Sequence, residues 1–241
     1  MAAESLYLIG GGCTPEAFPL TYGRFAAAAA DGEVAVVLLD QDDREEYFAR
    51  SRDAFAAVGF GRVHPRYISL ESPLRPADLD GIGGLFVGGG LTPEYRDAIV
   101  PEAAAWIRDR VAAGMPYGGF SAGSAIASRQ AIVGGWKLGD LTICAEETSE
   151  DEEQLAVRDG IGLVPFAIDV HAAQWGTVTR LMQAVRAGHV PEGIAIDEDT
   201  MLEVRDGRIG VHGLGGAWRV RRDGEGLHIR IIPAGGVITT N

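Results

Sequence analysis

Residues 115–128 read MPYGGFSAGSAIAS: an apolar run that closes on glycines, then a serine, then a string of small residues. Met115–Phe120 reads as a strand and Ser121–Ser128 as the start of a helix. Gly119, Ser121 and Gly123 form the pattern G-x-S-x-G at the junction. The spacing has a mechanical reason. A serine on a sharp strand-to-helix turn crowds its neighbours, so glycines flank it, and the turn lifts the hydroxyl above the sheet. The helix that follows aims backbone N–H groups at the same spot. A glycine-rich turn that only packs a helix closely against a sheet has the same composition, so the surrounding pattern must decide.

Upstream, Glu33–Asp40 (EVAVVLLD) is an almost unbroken apolar run, the mark of a strand buried on both faces. Ser5–Gly12 (SLYLIGGG), Arg62–Leu70 and Gly84–Gly90 (GLFVGGG) are further strand candidates. Helical stretches separate them: Pro15–Ala30, Arg44–Val58 and Pro101–Ala113. This β-α-β-α rhythm predicts an α/β fold, a mostly parallel central sheet sandwiched between two helical layers. Ligands in such sheets sit at the carboxyl ends of strands. The glycine clusters Gly10–Gly12, Gly88–Gly90 and Gly118–Gly119 are expected there. Further on, Glu146–Glu153 (EETSEDEE) reads as a solvated loop or a helix start, Gly160–Val170 as one or two strands, and Gln174–Ala187 as a helix. Gly193–Asp197 is a short buried strand. From Met201 onward the pattern is of antiparallel hairpins, with Asp206-Gly207 and Asp223-Gly224 as turn signals. No repeat or linker interrupts residues 1–241, so the expectation is a single α/β domain with a β-rich C-terminal edge from about residue 201.

Composition narrows the function. The 241 residues are 46% hydrophobic and 23% charged, which excludes a disordered chain. Lys and Arg number 21 against 34 Asp and Glu, for a net charge of −13. Such a chain is poorly suited to phosphate backbones or anionic membranes, so neither nucleic acid nor membrane is an expected partner. No apolar stretch reaches ~18 residues, and the N-terminus lacks a basic, long-apolar leader, which makes cytoplasm the expected location. Cys13 and Cys144 are too few for a disulfide scaffold or zinc ribbon and read as two buried thiols.

A nucleophilic serine needs a base. Among His64, His171, His189, His212 and His228, position favours His171, which closes the run Phe166–Val170 and should share Ser121's end of the sheet. A base needs an orienting acid. The candidates are Asp140, Asp169, Asp197, Glu198 and Asp199, and the last three, in IDEDT, follow the short strand Gly193–Ile196 and so sit at a strand end. Backbone donors for an oxyanion are expected from Ala122, at the elbow, and Gly89, in the glycine loop where no side chain hinders approach.

Four segments in order, LFVGGG (85–90), GGFSAGS (118–124), IDVHAAQWGTVTRL (168–181) and GIAIDEDT (193–200), resemble the dipeptidase E and cyanophycinase group of serine peptidases. The resemblance spans roughly Leu6–Val204. It implies a fold similar to flavodoxin and the class I glutamine amidotransferases. It implies Ser121 as nucleophile, His171 as base and, in the cyanophycinase arrangement, Glu198 as the acid. In the dipeptidase E arrangement the acid lies between serine and histidine, where Ile132–Leu141 offers Asp140. The implied activity is hydrolysis of an amide bond in a small peptide or isopeptide, with no metal or organic cofactor. Partners are then a small peptide-like substrate and, in one alternative, a second copy in a homodimer. Gly90, Leu91, Trp175 and Arg180 are the expected substrate contacts. The chain departs from the group at Leu91, where Asn is common, and at Ala172, Trp175 and Thr177 after the histidine. Those departures also fit a catalytically inactive, amidotransferase-like binding module.

Overall fold

The computed structural model describes residues 5–30 and 32–239. In chain order it runs β1 (Ser5–Ile9), α1 (Tyr22–Ala29), β2 (Val34–Leu39), α2 (Arg44–Ala57), β3 (Val63–Ile68), β4 (Gly84–Val87), α3 (Thr92–Ala112), β5 (Tyr117–Phe120) and α4 (Ala122–Ala125). Then follow β6 (Gln130–Gly134), β7 (Lys137–Leu138), β8 (Leu141–Thr142), β9 (Ala156–Asp159), β10 (Ala167–Val170), α5 (Val178–Arg186), β11 (Glu192–Ile196) and β12 (Thr200–Arg205). The chain closes with β13 (Arg208–Gly213), β14 (Gly216–Asp223), β15 (Gly226–Pro233) and β16 (Val237–Thr239).

The main sheet has eight strands in the order β16-β13-β12-β1-β5-β4-β2-β3. Its β1-β5-β4-β2-β3 half is parallel, and β12 adds to β1 antiparallel. The apolar run of β2 is explained by its two neighbouring layers. Ala35, Val37 and Leu39 point into one core with Tyr95, Ile99 and Ile107 of α3, while Val34, Val36 and Leu38 point into another with Phe25 of α1 and Phe55 of α2. Leu85 and Val87 of β4 divide from Phe86 in the same way. The second core is aromatic, with Phe86 edge-on to Phe55 at 5.2 Å and to Phe25 at 5.5 Å.

Local chemistry moves several expected boundaries. Pro15–Ala30 is not one helix: Pro15–Leu20 forms a tight 3-10 turn containing Pro19, and α1 begins after it. Proline lacks the N–H that a continuous helix needs. The helix expected at Pro101 starts at Thr92, with Pro93 in its first turn, where the missing N–H is harmless. The elbow helix is only Ala122–Ala125. Gly118 and Gly119 lie inside β5, not beyond it, and they are glycines because there is no room: a Cβ on Gly118 would sit 2.4 Å from Phe86.

One difference bears on function. The strand carrying His171 does not join the main sheet. β10 pairs with β11 in a separate four-stranded sheet, β10-β11-β14-β15, backed by α5 and a third apolar core around Leu181, Val185 and Val220. The C-terminal hairpins divide between the sheets, β12–β13 joining the first and β14–β15 the second. No helix among the described residues is long and apolar enough to cross a membrane.

Gly118→Ala is expected to lower the unfolding free energy by about 1–3 kcal/mol, because the aromatic core must shift to admit a methyl group. The urea midpoint of the purified protein reads this directly.

Candidate active site

Ser121 sits between β5 and α4 with φ 51° and ψ −110°, a conformation that L-residues rarely adopt. Its neighbours hold it there. A Cβ on Gly119 would lie 2.6 Å from the Gly123 backbone, and one on Gly123 would lie 2.2 Å from the Val87 carbonyl. The Ser121 N–H donates to the Ile9 carbonyl at 2.9 Å, and the Ser124 hydroxyl shares its proton between the carbonyls of Ile9 and Gly119, at 2.8 and 2.9 Å. Tyr117 donates its phenol to the Gly123 carbonyl at 2.7 Å. These bonds tie the elbow to β1 and β5.

His171 arrives from the second sheet, also at positive φ, 54°. Its N–H donates to the Gly10 carbonyl at 2.9 Å, and the Ala172 N–H donates to the Ile196 carbonyl at 3.0 Å. Gly11, at φ +116°, lets the backbone run against the imidazole; a Cβ there would sit 2.1 Å from Cε1. The Ser121 hydroxyl lies 2.8 Å from His171 Nε2, and Nδ1 lies 2.8 Å from Glu198 Oε1. An ionised carboxylate only accepts, so Nδ1 carries the proton and Nε2 is free to accept from the serine. Ser121 and His171 are buried, and Glu198 is half-buried. Burial pushes the imidazole below its ordinary value, and the hydrogen bond and charge of Glu198 offset part of that shift.

The other acids divide by role. Asp199 accepts from the Thr14 N–H at 2.9 Å and hydroxyl at 2.5 Å. Asp197 accepts from the N–H groups of Ala173 and Gly216 and from the Trp218 indole, at 2.9–3.1 Å. Both pin the turn that carries Glu198, and Glu198 itself donates its N–H to Gln174 Oε1 at 2.9 Å. Asp140 is exposed in the β7–β8 turn and does not line the cleft. His64 pairs with Glu33 and His212 with Glu203, away from Ser121.

The serine opens into a cleft of about 780 Å³. Gly89 and Gly90 line it, and a Cβ on Gly89 would lie 3.1 Å from Ser121 Cβ. Leu91 and Trp175 line it as well. Trp175 is 45% exposed and does not enter the core beneath α5. Arg180 is a correction to the expected substrate contacts. Its guanidinium is buried away from the cleft, bonded to Asp169 at 2.7 and 2.9 Å and to the Thr148 carbonyl at 2.7 Å. Burial opposes its charge, but Asp169 more than compensates and holds it protonated.

The acidic run is also more than a solvated loop. Thr148 is buried, and Glu147, Glu150 and Asp151 form a wall of the cleft. Glu150 accepts the Thr92 N–H at the start of α3 at 3.0 Å, and burial raises its carboxyl. Cys13 is exposed on the rim rather than buried, while Cys144 is buried as expected. Gln174 and the rim residue Arg50 carry no site signal in the sequence, whereas Gly11 lies in the Gly10–Gly12 cluster expected at a strand end and Glu150 in the acidic run Glu146–Glu153. Among the described residues no cluster of His, Cys, Asp and Glu could hold a metal ion.

An elbow serine, a histidine and a carboxylate joined by hydrogen bonds form the layout through which serine hydrolases move a proton. Peptidase family S51 matches residues 35–212, and the chain belongs to this family. The cyanophycinases of Nostoc sp. (strain PCC 7120 / SAG 25.82 / UTEX 2576) and Trichormus variabilis (strain ATCC 29413 / PCC 7937) are each 33% identical over 152 residues. That stretch is 60% of this chain and 47% of each relative, so the chain spans about half the length of the curated relatives it matches. A peptidase from an acI-B1 Actinobacterium shares the fold, with a TM-score of 0.68 at 17% identity over 98% of this chain and 96% of that one.

His171 is expected to titrate below the ordinary imidazole value of about 6.5, and Glu198→Gln to lower it further by removing a charge that favours the imidazolium. Imidazole NMR signals followed across pH in the substrate-free protein would check both.

Proposed function

We propose that this chain is a serine peptidase that cleaves an amide bond in a small peptide or isopeptide. The observation that carries the reading is the relay from Ser121 through His171 to Glu198, with 2.8 Å at each step. Ser121 Oγ attacks the carbonyl carbon while its proton passes to His171 Nε2. The oxyanion is met by the N–H groups of Ala122 and Gly89. Collapse breaks the C–N bond as Nε2–H protonates the departing amine. Water then adds to the acyl-serine, giving its proton to Nε2, and the acid product leaves as Ser121 recovers its hydrogen. Glu198 keeps the Nδ1–H tautomer and balances the imidazolium charge.

The cleft supports a basic or neutral residue in the substrate rather than aspartate. Among the described lining residues Glu147, Glu150, Asp151, Glu198 and Asp199 face a single Arg or Lys, Arg50. A carboxylate pocket needs an arginine or several N–H donors, and Arg180 is committed to Asp169. The relatives' activity as cyanophycinases is compatible with this lining.

Ser121→Ala should lower kcat by about 10³–10⁶-fold without unfolding the protein, and should abolish labelling by a fluorophosphonate. A folded variant with near-normal activity would show that another residue attacks. Glu198→Gln should cost more activity than Asp140→Asn; the reverse order would move the acid to the β7–β8 turn. Because His171 is held low, kcat/KM should fall on acidification only below about pH 6.5. Matched Asp-X, Arg-X and Leu-X dipeptides with β-linked Asp-Arg decide the specificity, and a clear Asp-X preference would overturn it.

A further inference from the structure

Trp175 stands outside the three residues of the proposed relay, yet its indole lies flat on the His171 imidazole. The ring centroids are 3.7 Å apart and the planes differ by 6°. The contact is built locally. The Trp175 N–H donates to the His171 carbonyl at 2.9 Å, and this turn brings side chains four residues apart onto one face. Trp175 lines the cleft and is among the exposed large apolar residues, so burial of its own surface does not account for its place.

We infer that Trp175 is a positioning residue for His171, fixing the plane of the imidazole and stabilising the imidazolium that forms as Ser121 gives up its proton. The inference rests on the reaction proposed above. A flat contact at van der Waals distance leaves the imidazole one plane, and in that plane both nitrogens reach their partners. The imidazole fills the space that a side chain on Gly11 would take, its Cε1 lying 2.1 Å from where that Cβ would stand. An aromatic face carries negative charge and attracts a cation lying over it. The neutral ring gains less from that face than the charged one. The stabilisation therefore grows as the proton arrives, which is where it accelerates the reaction.

The charged groups acting on the imidazole are Glu198 from the β11–β12 turn, Asp169 from β10 and Arg180 from α5. None is changed by replacing Trp175. Trp175→Leu keeps an apolar cover over the ring and removes the aromatic face; Trp175→Phe keeps a face. In the chain of 241 residues without substrate, the His171 titration midpoint is expected to fall by about half to one pH unit in the Leu variant, with most of it restored by Phe. With substrate, kcat should fall roughly 3–10-fold in the Leu variant, with KM within about twofold, and the acid limb of the rate profile should move with the midpoint. An unchanged midpoint in the Leu variant would overturn the inference, and so would a raised KM with kcat intact, which would make Trp175 a substrate contact. The substrate-free titration separates this from the proposed reaction. If the midpoint moves but Ser121→Ala remains active, the reaction fails and the stacking effect stands.

Discussion

Everything at the candidate site hangs on one ribbon of backbone, Gly10–Gly12. It leaves β1 of the main sheet and runs directly between the two sheets. Gly10 N–H donates to the Thr200 carbonyl and Gly10 O accepts from His171; Gly11 O accepts from Asp199 N–H at 2.8 Å. Side chains are excluded at all three positions: a Cβ would strike the Asp197 carbonyl, the imidazole or the Asp199 carboxylate. Ser121 is anchored to the same strand, through the Ile9 carbonyl. A hydroxyl from one sheet and an imidazole from another thus meet because three glycines allow the backbones to touch.

A second set of constraints works through charge. Arg180 and Asp169 are buried together, and the guanidinium's remaining reach goes to the Thr148 carbonyl. An ion pair removed from water is tolerable when its hydrogen bonds are satisfied, and its worth lies in fixing geometry. Here it joins the strand before His171 to the loop that walls the cleft. Glu150 and Asp151 in that loop adopt positive φ, 57° and 61°, and Glu150 meets the first turn of α3, where a carboxylate is favourable. The acidic character of the cleft is therefore part of its scaffold.

Local pattern made much of this legible. The elbow, the buried run of β2 and the apolar lead-in to His171 all announce themselves within a dozen residues, and the four segments shared with the S51 group lie along the matched region. What stayed hidden depends on contacts between distant parts of the chain. Nothing around Phe166–Val170 distinguishes a strand of the main sheet from one in a second sheet, because both are short, apolar and followed by a helix. The sequence around Arg180 does not reveal that α5 lays its guanidinium directly on Asp169 of β10. Gln174 and Glu150 act across 24 and 58 residues respectively, on Glu198 and Thr92. Cys13 is exposed rather than buried because the glycine ribbon it follows surfaces at the cleft.

The division of the site between two sheets also has a consequence for how the molecule loses activity. α5 and the core around Leu181 cover one face of the second sheet, but Ile168 and Val170 of β10 and Ile194 and Ile196 of β11 pack into the same core as Leu8 of β1 and Ile107 of α3. At the site the junction is backbone-to-backbone, through the hydrogen bonds of Gly10 and Gly11. Parting β10 from the glycine ribbon therefore opens an apolar core that both sheets share, and segments that share a core open as one cooperative unit. The imidazole would leave the serine only as that core yields, so loss of catalysis in denaturant would run together with the loss of helix seen by circular dichroism.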